Sequence, residues 1–270
     1  MPGDLSPSAA LDLGVRLACV GRLVTVAELL VTGTERRPGG LLDWGIAGLT
    51  NPRRRTAIGA HSLRVFQAIG PRMFTTLLAV DAAVGVALVA RPAEAWLLLP
   101  AVVLHVIEMK RHHLSVDGAD QMMLLILVAA LIGRTFQTET ALRCAVTFLA
   151  AQACLAYLVS GLYKASSTVW QSGAALTEIM QTRVLGHAPV ARILRDHPQF
   201  SHLAGLAVIA WESSAFIALA APRPFLIGFL LAGIGFHLGC AAMMGLNTFV
   251  WAFAATYPAI VATNVWIRPA

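Results

Sequence analysis

The chain has 270 residues, of which 57% are hydrophobic and only 13% are charged, and its mean hydropathy is +0.71. Soluble domains carry about 25% charged residues, so this composition excludes an ordinary soluble protein and indicates one that lives in a membrane. The formal net charge of +6 comes largely from arginines in a few loops, which suits anionic lipid headgroups better than nucleic acid. We therefore expect a multi-pass protein of the cell membrane. Its expected partners include the lipid bilayer but no nucleic acid.

Apolar runs recur along nearly the whole sequence and predict an all-α fold, a polytopic integral membrane helical bundle of about eight transmembrane helices. A span needs ~20 apolar residues, and no stretch of ~50 residues lacks one, so residues 1–270 are expected to form a single transmembrane domain. The predicted spans are Ala10–Val31, Pro71–Ala90, Ala93–Met109, Ala119–Phe136, a fifth that opens the stretch Ala141–Gly173, His202–Ala221, Phe225–Met244 and Leu246–Trp266.

The predicted connections differ in character. Within the long first one, Leu41–Leu49 is too short to span and is expected to lie in the interface, and Thr56–Ile69 is predicted as an amphipathic helix. The segment Ala165–Ser201, after the fifth span, is expected to be polar and irregular. Because the loops after spans one, three and five hold most of the arginine and lysine, the positive-inside rule places them in the cytoplasm and both termini outside.

Charged side chains fall inside several predicted spans. Charge near the bilayer centre costs at least ~2.5 kcal/mol, so Arg22 and Asp81 should face the bundle interior or a partner. For Arg22 the alternatives are a structural ion pair and a site residue. His105 and Glu108 share one helix face at i and i+3 and could relay a proton, bind a metal or sit at the polar end of the helix. No further ligand completes a metal motif, so no metal site is predicted.

Lys164 ends the fifth apolar run and is one of only two lysines, the other being Lys110; every other permanent cation is an arginine. A lysine in apolar surroundings can lose its proton and act as a base, whereas arginine stays charged. Lys164 is therefore the first candidate for chemistry. The alternative is a side chain that extends to the lipid headgroups.

Glu212 and His237 lie on adjacent predicted spans joined by a short turn, at similar distances from it. They are expected to share a depth and to face one cavity. The alternatives are a buried carboxylate partner for Arg22 or Arg143 in the case of Glu212, and a packing histidine bonded to a neighbour in the case of His237.

The string Tyr157-x3-Gly161-x2-Lys164-x5-Trp170-x2-Gly173 resembles the signature of the HTTM (horizontally transferred transmembrane) family, which shares its membrane domain with the vitamin K-dependent γ-carboxylase. The resemblance extends over essentially the whole chain. Its other elements, in order, are Arg16 in the first span, Trp211-Glu212, and Phe236-His237-Leu238 followed by Met244-Gly245 and Phe249.

This resemblance implies quinol chemistry at Lys164. In the carboxylase, the matching lysine is regarded as the base that deprotonates reduced vitamin K. The hydroquinone anion reacts with O2, and the oxygenated product is a base strong enough to remove a proton from the γ-carbon of the substrate glutamate. CO2 then adds to that carbon, and the quinol leaves as its epoxide. By similarity, Lys164 is catalytic, and Glu212, His237, Tyr157 and Trp170 are implied to line the binding site of reduced vitamin K or menaquinol. An apolar membrane site dissolves such an isoprenoid quinone and excludes water.

Two departures from the family pattern bear on the reaction. After its last span the chain has no counterpart of the large extra-membrane region with which the carboxylase docks proteins, so a small molecule or short peptide is the expected substrate. Val116–Gln121, VDGADQ, stands where the carboxylase has an element with a histidine, and it lacks that histidine. Carboxylation, with CO2, and oxidation by O2 alone therefore both stay open.

The alternative function is a non-catalytic membrane partner or maturation factor for a secreted peptide, as for family members that assist toxin maturation. A transporter is disfavoured because the sequence has no evident inverted repeat or matching pair of broken helices.

Overall fold

The computed structural model describes residues 5–32, 68–111 and 116–268, and within these ranges the chain is helical with no strand. This confirms the all-α prediction. The helices are α1 (Pro7–Val31), α2 (Pro71–Ala90), α3 (Ala95–Arg111), α4 (Gly118–Phe136), α5 (Glu139–Ala165), α6 (Thr168–Gln171), α7 (Ala174–Gln181), α8 (Ala188–Asp196), α9 (Pro198–Ser213), α10 (Ala215–Ala220), α11 (Arg223–Met244), α12 (Asn247–Ala254) and α13 (Tyr257–Ile267).

Five of the helical segments that the structure describes are long and apolar enough to cross a membrane. They are α2, α4, α5, α11, and α12 with α13 taken together as Asn247–Ile267. Each corresponds to one of the predicted spans. Four agree with the prediction at both ends within two residues, and α5, for which only a start was predicted, begins two residues before Ala141. The chain is accordingly a helical membrane protein by the length and composition of these segments.

The other three predicted spans fall on helices that are less clear candidates. α1 has 25 residues, but four charged side chains interrupt its apolar run; α3 has 17 residues; and the predicted sixth span is divided at Ser214 into α9 and α10. The total of eight crossings therefore stays a prediction. Leu41–Leu49 lies outside the described residues, as does Thr56–Ile69 apart from Ala68 and Ile69.

The expectation that Ala165–Ser201 is irregular is wrong, because the segment folds into α6, α7, α8 and the start of α9. Its prolines do not break these helices: Pro189 and Pro198 stand in the first turns of α8 and α9, where a missing N–H leaves no helical hydrogen bond unmade. In α7, the spacing of Leu176, Ile179 and Met180 places three apolar side chains toward the bundle.

α5 lies at the centre of the bundle and packs against α1, α4, α9, α10 and α13. Thr138 caps its first turn by accepting a hydrogen bond from the Ala141 N–H. Its buried residues recur every three or four positions and include Leu142, Val146, Leu149, Ala153 and Tyr157. The small ones let neighbouring helices approach closely.

Arg22 faces the bundle interior, as its position in the sequence predicted. It is 4% exposed and donates hydrogen bonds to Asp81 of α2 and His105 of α3, while its Nη2 lies 3.4 Å from Glu108 Oε2. His105 and Glu108 are buried in this network, although Glu108 lies in the last turn of α3, so both side chains face the bundle and not solvent. His105 Nε2 donates to the Asp120 carbonyl oxygen at 2.9 Å, which ties α3 to the start of α4.

Candidate functional site

A cavity of about 390 Å³ opens between α5, α6, α7, α9, α11 and α12. All five site residues predicted from the sequence line it: Lys164, Glu212, His237, Tyr157 and Trp170. Its volume falls in the range of ~300–1,000 Å³ that is usual for small-molecule sites. The remaining wall is mainly apolar and aromatic, with Leu176, Ile179, Met180, Phe236, Phe249 and Phe253 as its larger members.

Lys164 and Glu212 form an ion pair in the cavity wall. Lys164 Nζ donates to Glu212 Oε2 at 2.7 Å and to Oε1 at 2.9 Å, and it lies 2.5 Å from Ser160 Oγ, which accepts a third hydrogen bond. The two charged side chains are 16% and 4% exposed. Lys164 therefore points inward, and extension to the headgroups is wrong. The buried partner of Glu212 is Lys164, not Arg22 or Arg143.

Two local features of α5 make this pair possible. Ser160 and Lys164 are four residues apart and so lie on the same helix face. At Gly161, a Cβ atom would lie 2.7 Å from the Ser213 nitrogen and 3.0 Å from Glu212 Cβ, so only glycine lets α9 come this close. The close approach of the two helices brings the Glu212 carboxylate to Lys164.

The remaining residues of the Lys-x5-Trp-x2-Gly string lie beside the ion pair. Lys164 Nζ is 5.2 Å from the centroid of the Trp170 ring, a cation–π distance. Gly173 has φ +80°, a left-handed conformation, and a Cβ there would lie 2.5 Å from His202 Cα. The glycine therefore allows the sharp turn between α6 and α7 and seats it directly on α9.

A second polar group is formed by Tyr157 and His237, which line the cavity, and by Tyr257, which lies next to Tyr157. Tyr157 Oη lies 2.9 Å from His237 Nε2 and 3.2 Å from Tyr257 Oη. Phe253 stacks on the His237 ring with centroids 4.6 Å apart. His237 is thus bonded to a neighbouring side chain, as the packing interpretation expected, and it also lines the cavity. Its Nδ1 is buried with no hydrogen-bond partner in residues 5–32, 68–111 and 116–268.

Two polar residues of the site, Ser160 and Tyr257, were not identified from the sequence. Ser160 lies one helical turn before Lys164, so helical spacing alone would have found it. Tyr257 lies 100 residues from Tyr157, and nothing in its local sequence indicated that their hydroxyls meet.

The arrangement combines a proton acceptor with a fixed positive charge in an apolar chamber. Lys164 is paired with Glu212, so the two side chains act together. The Glu212 carboxylate can accept a proton, and the Lys164 ammonium can hold an anion next to it. Electrostatic interactions of this kind are stronger in apolar surroundings than in water. The site can therefore ionise a weakly acidic hydroxyl and retain the resulting oxyanion.

The resemblance to the HTTM family depends on sequence elements that this fold gathers at one place. The Tyr157–Gly173 string, Trp211-Glu212 and Phe236-His237 come from three separate parts of the chain and meet around the cavity. Arg16, the element in the first span, is not among the residues that line it. Comparisons of the chain with protein-family models, with curated proteins and with solved structures found no match.

Proposed function

We propose that the chain is an integral membrane enzyme of the vitamin K-dependent γ-carboxylase-like group. It binds a reduced isoprenoid quinone, such as menaquinol, in the cavity and uses it with O2 to modify a small molecule or short peptide by carboxylation or oxidation. The observation that carries the proposal is the convergence of Lys164, Glu212, His237, Tyr157 and Trp170 on one apolar cavity.

The residues present fit such a cofactor. The aromatic wall suits a flat ring, and the exposed apolar side chains around the helices suit a lipid-dissolved tail. Polar groups are few and occur at two places, the Lys164–Glu212 pair and the Tyr157–His237 pair. The unpartnered Nδ1 of His237 leaves one more polar atom of the wall for a ligand.

A bound quinol would supply an ionisable hydroxyl and the reducing electrons for O2. With a quinol bound, the Glu212 carboxylate would accept the hydroxyl proton at Oε1 or Oε2, and the Lys164 ammonium would stabilise negative charge beside it. Ser160 donates to Glu212 Oε1 at 3.3 Å and keeps the carboxylate oriented. The aromatic side chains exclude water, which would otherwise quench a strong base.

The test is an assay of vitamin K hydroquinone epoxidation in membranes that contain the chain, with the epoxide measured by chromatography. Wild type is expected to form epoxide, and Lys164→Ala is expected to lower the rate by roughly 100-fold or more, as for loss of a donor that stabilises an oxyanion. Lys110→Ala is the matched control, because Lys110 is exposed at the end of α3 and should not affect the rate.

Undiminished epoxidation in Lys164→Ala would remove this residue from the chemistry. No epoxidation by wild type would remove the enzyme and favour the second candidate, a non-catalytic membrane partner for a secreted peptide. One observation favours that candidate: all three hydrogens of the Lys164 ammonium have acceptors, so the pair would serve equally well as a structural link between α5 and α9.

A further inference from the structure

The segment 168–196, made of α6, α7 and α8, lies where α5 leaves the membrane. Only two residues separate the end of α5 from α6, and one residue separates α8 from α9. α7 and α8 pack against each other and against α9. Because α5 is long and apolar enough to span a bilayer, this short and tightly tethered segment is held near the headgroups of that leaflet.

Three arginines of this segment, Arg183, Arg192 and Arg195, are exposed. Arg183 lies in the turn between α7 and α8, and α8 buries Ala191 while it turns Arg192 and Arg195 outward. Arg192 and Arg195 are three residues apart and are neighbours on the helix surface. None of the three forms an ion pair with a residue that the structure describes.

Two carboxylates of the segment, Glu178 of α7 and Asp196 at the end of α8, are also exposed and reduce its net charge to +1. Neither forms an ion pair with one of the three arginines. Exposed apolar side chains lie close to these arginines in the sequence: Val184 follows Arg183 and is 88% exposed, Ile193 follows Arg192 and is 53% exposed, and Phe200 at the start of α9 is 54% exposed. Cations interspersed with apolar side chains are typical of surfaces that rest at the boundary between headgroups and acyl chains.

We propose that Arg183, Arg192 and Arg195 form a binding surface for the phosphate headgroups of anionic lipids. Val184, Ile193 and Phe200 contact the upper acyl chains beside it. The same segment contributes Leu176, Ile179 and Met180 of α7 to the cavity wall, so a lipid bound to the segment would also steady that wall. This binding surface does not depend on what reaction the cavity performs.

The experiment titrates the purified full chain in mild detergent with phosphatidylglycerol or with phosphatidylcholine, and bound lipids are counted by native mass spectrometry. Wild type is expected to bind phosphatidylglycerol more tightly than phosphatidylcholine. The triple variant Arg183→Gln, Arg192→Gln, Arg195→Gln should lose this preference, by roughly fivefold in affinity for each arginine removed. All three side chains are exposed, so the variant is expected to fold.

The matched control is Arg72→Gln, Arg91→Gln, Arg223→Gln, which removes the same charge from exposed positions at the ends of α2 and the start of α11. It should keep the preference. Equal loss in the control, or no preference in wild type, would overturn the proposal. Displacement of phosphatidylglycerol by millimolar inorganic phosphate would mean a soluble-anion site and would also overturn it.

Discussion

Arg22 illustrates how a single charged side chain is accommodated inside this bundle. Its guanidinium lies among Asp81, Glu108 and His105, and the carboxylates of two other helices supply the compensating charge. Taking these groups out of water is costly, and hydrogen bonds in a fixed geometry offset that cost. The network joins α1, α2 and α3 around one buried cation, so each helix depends on the others for its charge balance.

Arg22→Met should therefore destabilise the protein strongly. It leaves Asp81 and Glu108 buried beside each other without the cation between them, and removal of one partner from a buried pair costs about 3–5 kcal/mol. The measurement is the free energy of unfolding by denaturant in mild detergent. Arg72→Met, at an exposed position of α2, should change it by less than ~0.5 kcal/mol. A loss for Arg22→Met no larger than for this control would contradict a buried network.

The contact between α5 and α9 shows how one helix pair positions the candidate site. Because residue 161 is a glycine, it has no Cβ to hold the backbones of α5 and α9 apart. A Cβ there would collide with Ser213 and Glu212. The Lys164–Glu212 pair lies one turn further along α5. The geometry of the ion pair is therefore set by helix packing as much as by the charged residues themselves.

Gly161→Ala should separate α5 from α9 and weaken the ion pair. We expect the free energy of unfolding to fall by about 1–3 kcal/mol, as for overpacking in a tight interior. The proposed function predicts that the epoxidation rate falls with it. Gly235→Ala is the control, since a Cβ at that position of α11 has no described heavy atom within 4 Å. Its alanine should be neutral or slightly stabilising because alanine favours helix more than glycine does. Equal effects of the two substitutions would mean that α5 and α9 do not approach closely at Gly161.

At the scale of the whole molecule, two buried polar centres lie in neighbouring parts of the bundle. The Arg22 network is held by α1, α2, α3 and the start of α4, and the Lys164–Glu212 pair by α5 and α9. Gly118 at the start of α4 lines the cavity, and Asp120, two residues on, accepts from His105. The first turn of α4 thus lies between the two centres.

The number of crossings is tested by reporter fusions that compare the two sides of the membrane. If all eight predicted spans cross, three lie between Arg91 and Thr182 and three between Thr182 and Arg268. Alkaline phosphatase should then be active when fused after Arg91 or Arg268, and green fluorescent protein should fluoresce after Thr182. Thr182 and Arg268 on the same side would show that α9 and α10, which break at Ser214, do not cross.

The sequence predicted the all-α fold class, and it failed where structure depends on contacts between distant residues. Lys164, Glu212 and His237 could be chosen because ionisable side chains in apolar runs are rare and costly. The partner of Glu212 could not, because a helical run has many possible neighbours and Lys164 is 48 residues away. The helices of Ala165–Ser201 were missed because their polar residues and prolines obscure short helical patterns.

What the sequence determined by itself is the environment: long apolar runs require a membrane, and a membrane requires helices that satisfy their own backbone hydrogen bonds. The charged side chains inside apolar runs, such as Arg22 and Asp81, also predicted positions that turn inward. The tertiary structure decided which inward faces meet, because that depends on small residues such as Gly161 and on the shape of every neighbouring helix. The pairing of Arg22 with Asp81, of Lys164 with Glu212 and of Tyr157 with His237 was therefore decided only when the helices packed.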